Sequence, residues 1–244
     1  MVMRALSILF AILLVACQPE QWDDCVTSAG PTRQDTRVMD RFSRIELEDR
    51  VDLVLEHTGY GALVVEGGAN VLGQLRTEVV DGTLRIRDDN RCNWVRDMRK
   101  RITVRVPMQG VERIELRGTG RVSATDTVRG TVFRIEQHNA QGSVDLPLAV
   151  DTCFVGLHTG AGDVRLRGRC QVAYLYSGLM GPIDAGDLTA RVVNVNNSGV
   201  ADITCRAVQA LNVRCSDVGD VLYHGDPEVS ATVTGRGRVI RLGP

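Results

Sequence analysis

The sequence predicts an all-β protein: antiparallel or mixed N-terminal strands leading into a right-handed, single-stranded β-helix-like stack of about seven coils of ~20 residues. Three observations predict it. A phrase made of a small residue, any residue, then Val or Ile returns as Gly120-Arg121-Val122, Gly142-Ser143-Val144, Gly162-Asp163-Val164, Gly181-Pro182-Ile183, Ala201-Asp202-Ile203, Gly219-Asp220-Val221 and Gly237-Arg238-Val239. Its small residues are spaced by 22, 20, 19, 20, 18 and 18, and a steady period of that length marks one unit stacked on copies of itself. Upstream, apolar and polar residues alternate at period two, the mark of half-buried strands. Only Val71 to Val79 has any helical character, and the β-branched Thr77, Val79 and Val80 argue against it.

Residues 1–16 read as an export signal. Arg4 gives a positive start and Ala5 to Val15 a short apolar run, well below the roughly 20 residues of a spanning helix. The run stops at Leu14-Val15-Ala16-Cys17, which resembles the lipobox of bacterial lipoproteins. That resemblance implies cleavage before Cys17 and lipid on its thiol, with several acyl chains giving a stable anchor. The alternative is a plain signal peptide ending at Ala16. Gln18, in place of the Asp that retains lipoproteins in the inner membrane, points to the outer membrane and leaves its face open.

Residues 17–41 are polar, carry Pro19 and Pro31, and read as a lipidated tether. Residues 42–110 read as an N-terminal β region, with strands at Phe42 to Leu47, Val51 to Glu56, Leu63 to Glu66, Leu84 to Arg87 and Ile102 to Val106. Turn residues separate them at Thr58-Gly59-Tyr60-Gly61, Gly67-Gly68-Ala69-Asn70 and Asp81-Gly82. Residues 111–244 form the repeat region, where Val122, Val144, Val164, Ile183, Ile203, Val221 and Val239 are expected to make one inward column. The corners often read Gly-x-Gly, and glycine suits a sharp corner through positive φ and the lack of a Cβ. The N-terminal strands are expected to cap one end of the stack.

Charge narrows the partners. Removing residues 1–16 takes away only Arg4 and leaves 28 basic against 30 acidic residues, a balance that argues against nucleic acid. Lys100 is the single lysine; genome codon bias accounts for that better than an arginine-based anion reader. Six cysteines remain after Cys17, namely Cys25, Cys92, Cys153, Cys170, Cys205 and Cys215, and an even number in an exported chain suggests disulfides. Cys153 and Cys170 lie about one coil apart and could pair between rungs. Cys205 and Cys215 either bridge one coil or remain as buried thiols.

From Phe42 to Pro244 the chain resembles the bacterial "putative auto-transporter adhesin head GIN domain" family. The resemblance rests on Phe42-Ser43-Arg44-Ile45, Val51 to Leu55, Val65 to Asn70, Thr77-Glu78-Val79, Gly82 to Ile86, Cys92-Asn93-Trp94-Val95-Arg96, the Gly-x-Gly-x-Val repeats, and Gly219 to Tyr223 with Gly225-Asp226-Pro227. It implies a β-helix-like stack of single-stranded coils, and a disulfide between Cys25 and Cys92 that ties the tether to the N-terminal strands. It brings no catalytic residue and no cofactor.

Gly118-x-Gly120 and Gly160-x-Gly162 precede strands, so they read as corners and not as phosphate loops, which need a helix N-terminus. His138 and His158 each stand four residues before a corner glycine and are expected to stack on adjacent coils, about 4.8 Å apart. Two imidazoles could share a transition metal, but Ser177 and Asn197 follow in that column, so an outward polar ladder is the favoured reading. Asp163, Asp202 and Asp220 share the position after a corner residue. Of these, Asp202 and Asp220 are neighbours while Pro182 interrupts the column, and turn roles are favoured over a calcium or glycan site. His138, His158, Asp202 and Asp220 are thus the residues with ligating chemistry, with no metal assigned to them. Asn194, Asn196, Asn197 and Asn212 suggest an amide ladder between coils, and no Gly-x-Ser-x-Gly elbow occurs.

The expected function is a non-catalytic lipoprotein of the outer membrane. It would be held by Cys17 and act as a binding or structural module for an envelope protein or glycan. The alternative is a glycan-acting β-helix enzyme, lyase-like or hydrolase-like, using surface carboxylates. A part in envelope stress signalling rests on location alone.

Overall fold

A computed structural model describes residues 28–90 and 101–243. Their 17 strands hydrogen-bond into one continuous mixed sheet wound as a solenoid. The centre is built from four long strands, β11 (Ser143–Leu157), β12 (Asp163–Ser177), β13 (Ile183–Asn197) and β14 (Ile203–Cys215), each most of one coil and each parallel to the next. Shorter strands continue the stack on both sides. Before it come β8 (Arg113–Gly118), β9 (Arg121–Ala124) and β10 (Val128–Gln137); after it come β15 (Val221–His224), β16 (Glu228–Val233) and β17 (Val239–Gly243).

The inward column is borne out and is longer than the repeat phrase. In register, Val104, Leu53, Val122, Val144, Val164, Ile183, Ile203, Val221 and Val239 follow one another. All are buried except Val239, half-buried on the last rung. A second column on the facing wall runs Leu84, Ile45, Ile114, Ile135, Val155, Leu175, Val195 and Val213. Each fully buried Val, Leu or Ile contributes about 1.5–3 kcal/mol of transfer free energy, so these two columns hold the coils together.

Coil geometry therefore begins before residue 111. Strands β2 (Arg44–Asp49) and β3 (Val51–Glu56) form a coil that lies directly beneath β8 and β9. Its other side is covered by β6 (Thr83–Asp88) and β7 (Ile102–Pro107). Chain order and stacking order differ here, since β2–β3 sits between two coils that both come later in sequence.

Antiparallel strands close that end, as expected for a cap. β5 (Leu75–Val80) pairs with β6, and β4 (Ala62–Gly68) with β7. Val71 to Val79 is accordingly a 3-10 turn at Leu72–Gln74 followed by β5. The stretch read as tether also contributes a strand, β1 (Thr32–Val38), antiparallel to β4. Every β1 side chain is exposed or half-buried, so β1 is held by backbone pairing and by Arg37, which donates to the Leu72 and Leu75 carbonyls and to Thr77 Oγ1, and it leaves no apolar alternation to read.

The corner glycines need correction in their reason. Among Gly118, Gly120, Gly142, Gly160, Gly162, Gly181, Gly219, Gly235 and Gly237, only Gly160 has positive φ, at 106°. The others are required by close approach of stacked corners. A Cβ on Gly120 would stand 1.8 Å from the Val51 carbonyl oxygen, and one on Gly142 would stand 2.0 Å from that of Gly120.

Candidate functional site

Strand alternation sends every second side chain of the long coils outward, and parallel register stacks those side chains into rows. Across most of the surface the rows are charged or short. On the wall formed by the C-terminal halves of β10 to β13 they are aromatic. Arg134, Phe154, Tyr174 and Asn194 form one row, and Glu136, Gly156, Tyr176 and Asn196 the next. The Phe154 and Tyr174 rings stack at 4.8 Å and 6°. The Arg134 guanidinium lies 4.0 Å from the centroid of Phe154, a cation–π contact. Tyr174 remains 43% exposed. Gly156 and the short Asn194 and Asn196 leave a groove of about 330 Å³ between these walls.

His158 lines the groove, and His138 lies against it one coil before. His138 and His158 stack as expected, with centroids 4.4 Å apart and planes within 1°. The ring of Tyr176 leans on His158 at 5.4 Å. The column assigned to them needs correction. Register places Gln137, Leu157, Ser177, Asn197 and Cys215 in one inward column. Ser177 and Asn197 therefore do not continue the histidine row; Gly178 is the residue that stands beside His158, as their equivalent amides show. The corner between β12 and β13 is one residue shorter, which is why counting back from the glycine fails.

The third ligating group, Glu136, comes from the end of β10, two residues before His138. Glu136 Oε2 is 2.7 Å from His158 Nε2, and Arg134 donates to Glu136 Oε1 at 3.2 Å. Among the described residues, Glu136, His138 and His158 are the one group of three whose ligand atoms lie mutually within 4.8 Å. Partial burial, then the neighbouring His158, pushes the His138 imidazole below its ordinary pKa, which favours its neutral form. Comparison down one column missed Glu136; the signal was its i, i+2 relation to His138 where β10 ends.

The aspartates serve the coil corners. Asp202 Oδ1 accepts the Asp220 backbone N–H at 2.8 Å, and Asp220 Oδ1 accepts that of Arg238 at 2.8 Å. Asp52, at the same position three coils before Asp163, accepts the Arg121 N–H at 2.8 Å. Asp163 faces Pro182, which has no N–H to give. The Arg238 guanidinium pairs with Asp220 at 2.7 Å and holds its carboxyl below the usual range, opposite to what a general acid needs. Asn212 donates to Asn194 at 3.0 Å, as an amide ladder requires.

Cys153, Cys170, Cys205 and Cys215 are buried free thiols. Neither weighed bridge forms, because register separates the partners. Cys153 faces Ala173, whereas Cys170 faces Val150 and Ala190. Cys205 faces Ala185 and Tyr223, and the Cys215 thiol donates to the Gly219 carbonyl at 3.2 Å. Burial pushes Cys170 up to about 11 and Cys205 to about 12, so both stay protonated and inert. Cys17, Cys25 and Cys92, and with them the lipidation and the Cys25–Cys92 pair, lie outside the described residues. No helix among the described residues is long and apolar enough to cross a membrane.

Residues 41–227 match the model of the family described as "Putative auto-transporter adhesin, head GIN domain". Solved structures agree with the fold. A "putative adhesin" from Bacteroides fragilis superposes with a TM-score of 0.77 at 26% identity, covering 87% of this chain and 97% of that one. A "Putative lipid binding protein" from Parabacteroides distasonis gives 0.68 at 20% identity, with 87% and 97% covered. A "putative adhesin" from Parabacteroides merdae gives 0.64 at 16%, with 89% and 98% covered. No functionally curated protein matches the sequence.

Proposed function

The chain belongs to the auto-transporter adhesin head GIN domain family, and on that premise we propose that it is a non-catalytic binding module of the cell envelope whose ligand is a glycan. The observation that carries this reading is the aromatic groove across β10 to β13. Aromatic side chains offer apolar contact area with little conformational entropy to lose. A sugar ring has an apolar C–H face for Tyr174 and hydroxyls for the amides of Asn194 and Asn196. A concave, mostly apolar surface with a few fixed polar groups is the usual form of a small-ligand site. The likeness to the Bacteroides fragilis "putative adhesin" supports a binding role.

The reading predicts that full-length protein, screened against an array of envelope and extracellular polysaccharide fragments, retains a subset of them. Tyr174→Ala is expected to weaken that binding about tenfold, the equivalent of one aromatic contact of about 1.4 kcal/mol. Retention unchanged in Tyr174→Ala, or no retention of any fragment by the parent, removes the proposal. Asp202→Ala with Asp220→Ala leaves binding intact in this reading, whereas an enzyme using those carboxylates loses turnover.

The anchor in this reading is lipid on Cys17, supported by the Leu14-Val15-Ala16-Cys17 phrase. Cells expressing Cys17→Ala are expected to incorporate no labelled palmitate into the protein and to release it from the membrane fraction. Undiminished labelling of the variant rejects the anchor.

A further inference from the structure

Independently of the glycan reading, we propose that Glu136, His138 and His158 form a binding site for a divalent transition metal, Zn2+ being the best fit. Two imidazoles and one carboxylate make a donor set that suits zinc, copper or nickel more than calcium or magnesium. Three features of the geometry favour it over a plain Glu–His hydrogen bond.

The first is convergence. The three ligand atoms lie mutually within 4.8 Å, and Glu136 Oε2 already stands 2.7 Å from His158 Nε2. Metal bonds of about 2.0–2.2 Å place two donors on one tetrahedral ion about 3.3–3.5 Å apart. The Glu136–His158 pair therefore opens by less than about 1 Å, and the parallel His138 and His158 rings tilt out of their stack to bring a nitrogen of each onto one ion. Both histidines are partly exposed, so this adjustment disturbs no core packing.

The second is Gly156. It is the last residue but one of β11, paired on both sides, and its φ is not in the left-handed region. Its place is explained by what converges above it. A Cβ there would stand 2.3 Å from Glu136 Oε2 and 2.7 Å from His158 Nε2. The glycine opens the space in which these two groups meet.

The third is the second histidine. A Glu136–His158 hydrogen bond is complete without His138, yet His138 is stacked face to face on His158 one coil below. Arg134 engages Glu136 Oε1 and leaves Oε2 toward the imidazoles, while Arg117 and Glu115 lie near His138. The positive Arg134 moderates the affinity, which we place in the micromolar range. Three protein ligands leave an open position on the ion, as in zinc sites that take a further ligand.

The test uses the full-length chain in detergent, freed of metal with a chelator and titrated calorimetrically with Zn2+. One saturable Zn2+ per chain is expected. His138→Ala, His158→Ala and Glu136→Gln should each weaken it by about tenfold or more, the scale on which site groups act. His57→Ala and His224→Ala should leave it unchanged, and circular dichroism should report the same fold in every variant. Co2+ gives a second readout, visible d–d absorption that His158→Asn abolishes. The absence of saturable binding up to about 1 mM Zn2+, or binding that survives unchanged in the His138→Ala, His158→Ala double variant, overturns the site. Loss of Zn2+ binding with glycan retention intact, or the reverse, separates this proposal from the preceding one.

Discussion

Gly118→Ala is expected to destabilise the fold by at least about 3 kcal/mol, near the upper end of single-residue effects. In a chain of this length that lowers the midpoint of thermal unfolding by roughly 6–12 °C. The reason is a collision and not a dihedral. Gly118 does not have positive φ, but a Cβ on it would stand 1.9 Å from the Asp49 carbonyl oxygen and 2.5 Å from its nitrogen. The same oxygen accepts the Thr119 N–H at 2.7 Å, so the clash can be relieved only by parting the two coils where they are bonded. The pattern recurs up the stack: Gly160 lies over Ala140, Gly199 over Leu179 and Gly235 over Asp217, each with its absent Cβ within 2.1–2.3 Å of a carbonyl oxygen. A residue with a side chain thus lies under a glycine in each of these corner pairs. Gly73→Ala is the control, since nothing lies within 4 Å of its Cβ position and its φ is ordinary. Unfolding followed by far-ultraviolet circular dichroism decides the matter; equal midpoints for the two variants would show that the corners yield.

What the sequence disclosed and what it hid have separate physical causes. The column from Val122 to Val239 was legible because each coil repeats one inward position and periodicity survives in one dimension. The placement of β2–β3 between β6–β7 and β8–β9 was not, because alternation in Ile45-Glu46-Leu47 shows that a strand is half-buried and says nothing about which strand lies beside it. β1 escaped for the opposite reason, since it pairs through its backbone and buries no side chain. The aromatic groove was hidden in plain composition. Phe154 and Tyr174 are one coil period apart, and Tyr174 and Tyr176 share a strand face. That conjunction becomes visible only once register fixes 154 beside 174. For the histidines the stacking was readable from their spacing, and the carboxylate was not, because Glu136 stands in a different column and meets His158 only across two coils; variable corner length misplaced Ser177 and Asn197.

Asn197→Ala carries the second large effect, an expected loss of about 2–3 kcal/mol from a buried, doubly committed amide and a midpoint lowered by roughly 4–12 °C. Asn197 is fully buried. Its Nδ2 donates to the Ala201 carbonyl at 3.0 Å and the Asp220 carbonyl at 3.3 Å, while Oδ1 accepts the Gly199 N–H at 3.2 Å. One side chain thereby satisfies its own corner and reaches the corner of the next coil. Other coils solve the same problem with different residues in the same column. Ser177 donates to the Gly181 carbonyl at 2.8 Å and Cys215 to that of Gly219 at 3.2 Å. Leu157 has no donor, and Gln137 from the coil below reaches the Asp163 carbonyl instead, at 3.5 Å. Each of these corners therefore has a buried donor, its own or borrowed. The common geometry predicts a graded series. Asn197→Ser keeps the bond to Ala201, as Ser177 does for Gly181, and should recover part of the loss, whereas Asn194→Ala on the same strand, half-exposed, should cost less than about 1 kcal/mol. If Asn197→Ala unfolds at the same temperature as Asn194→Ala, the corner bonds contribute nothing and the stack rests on its apolar columns alone.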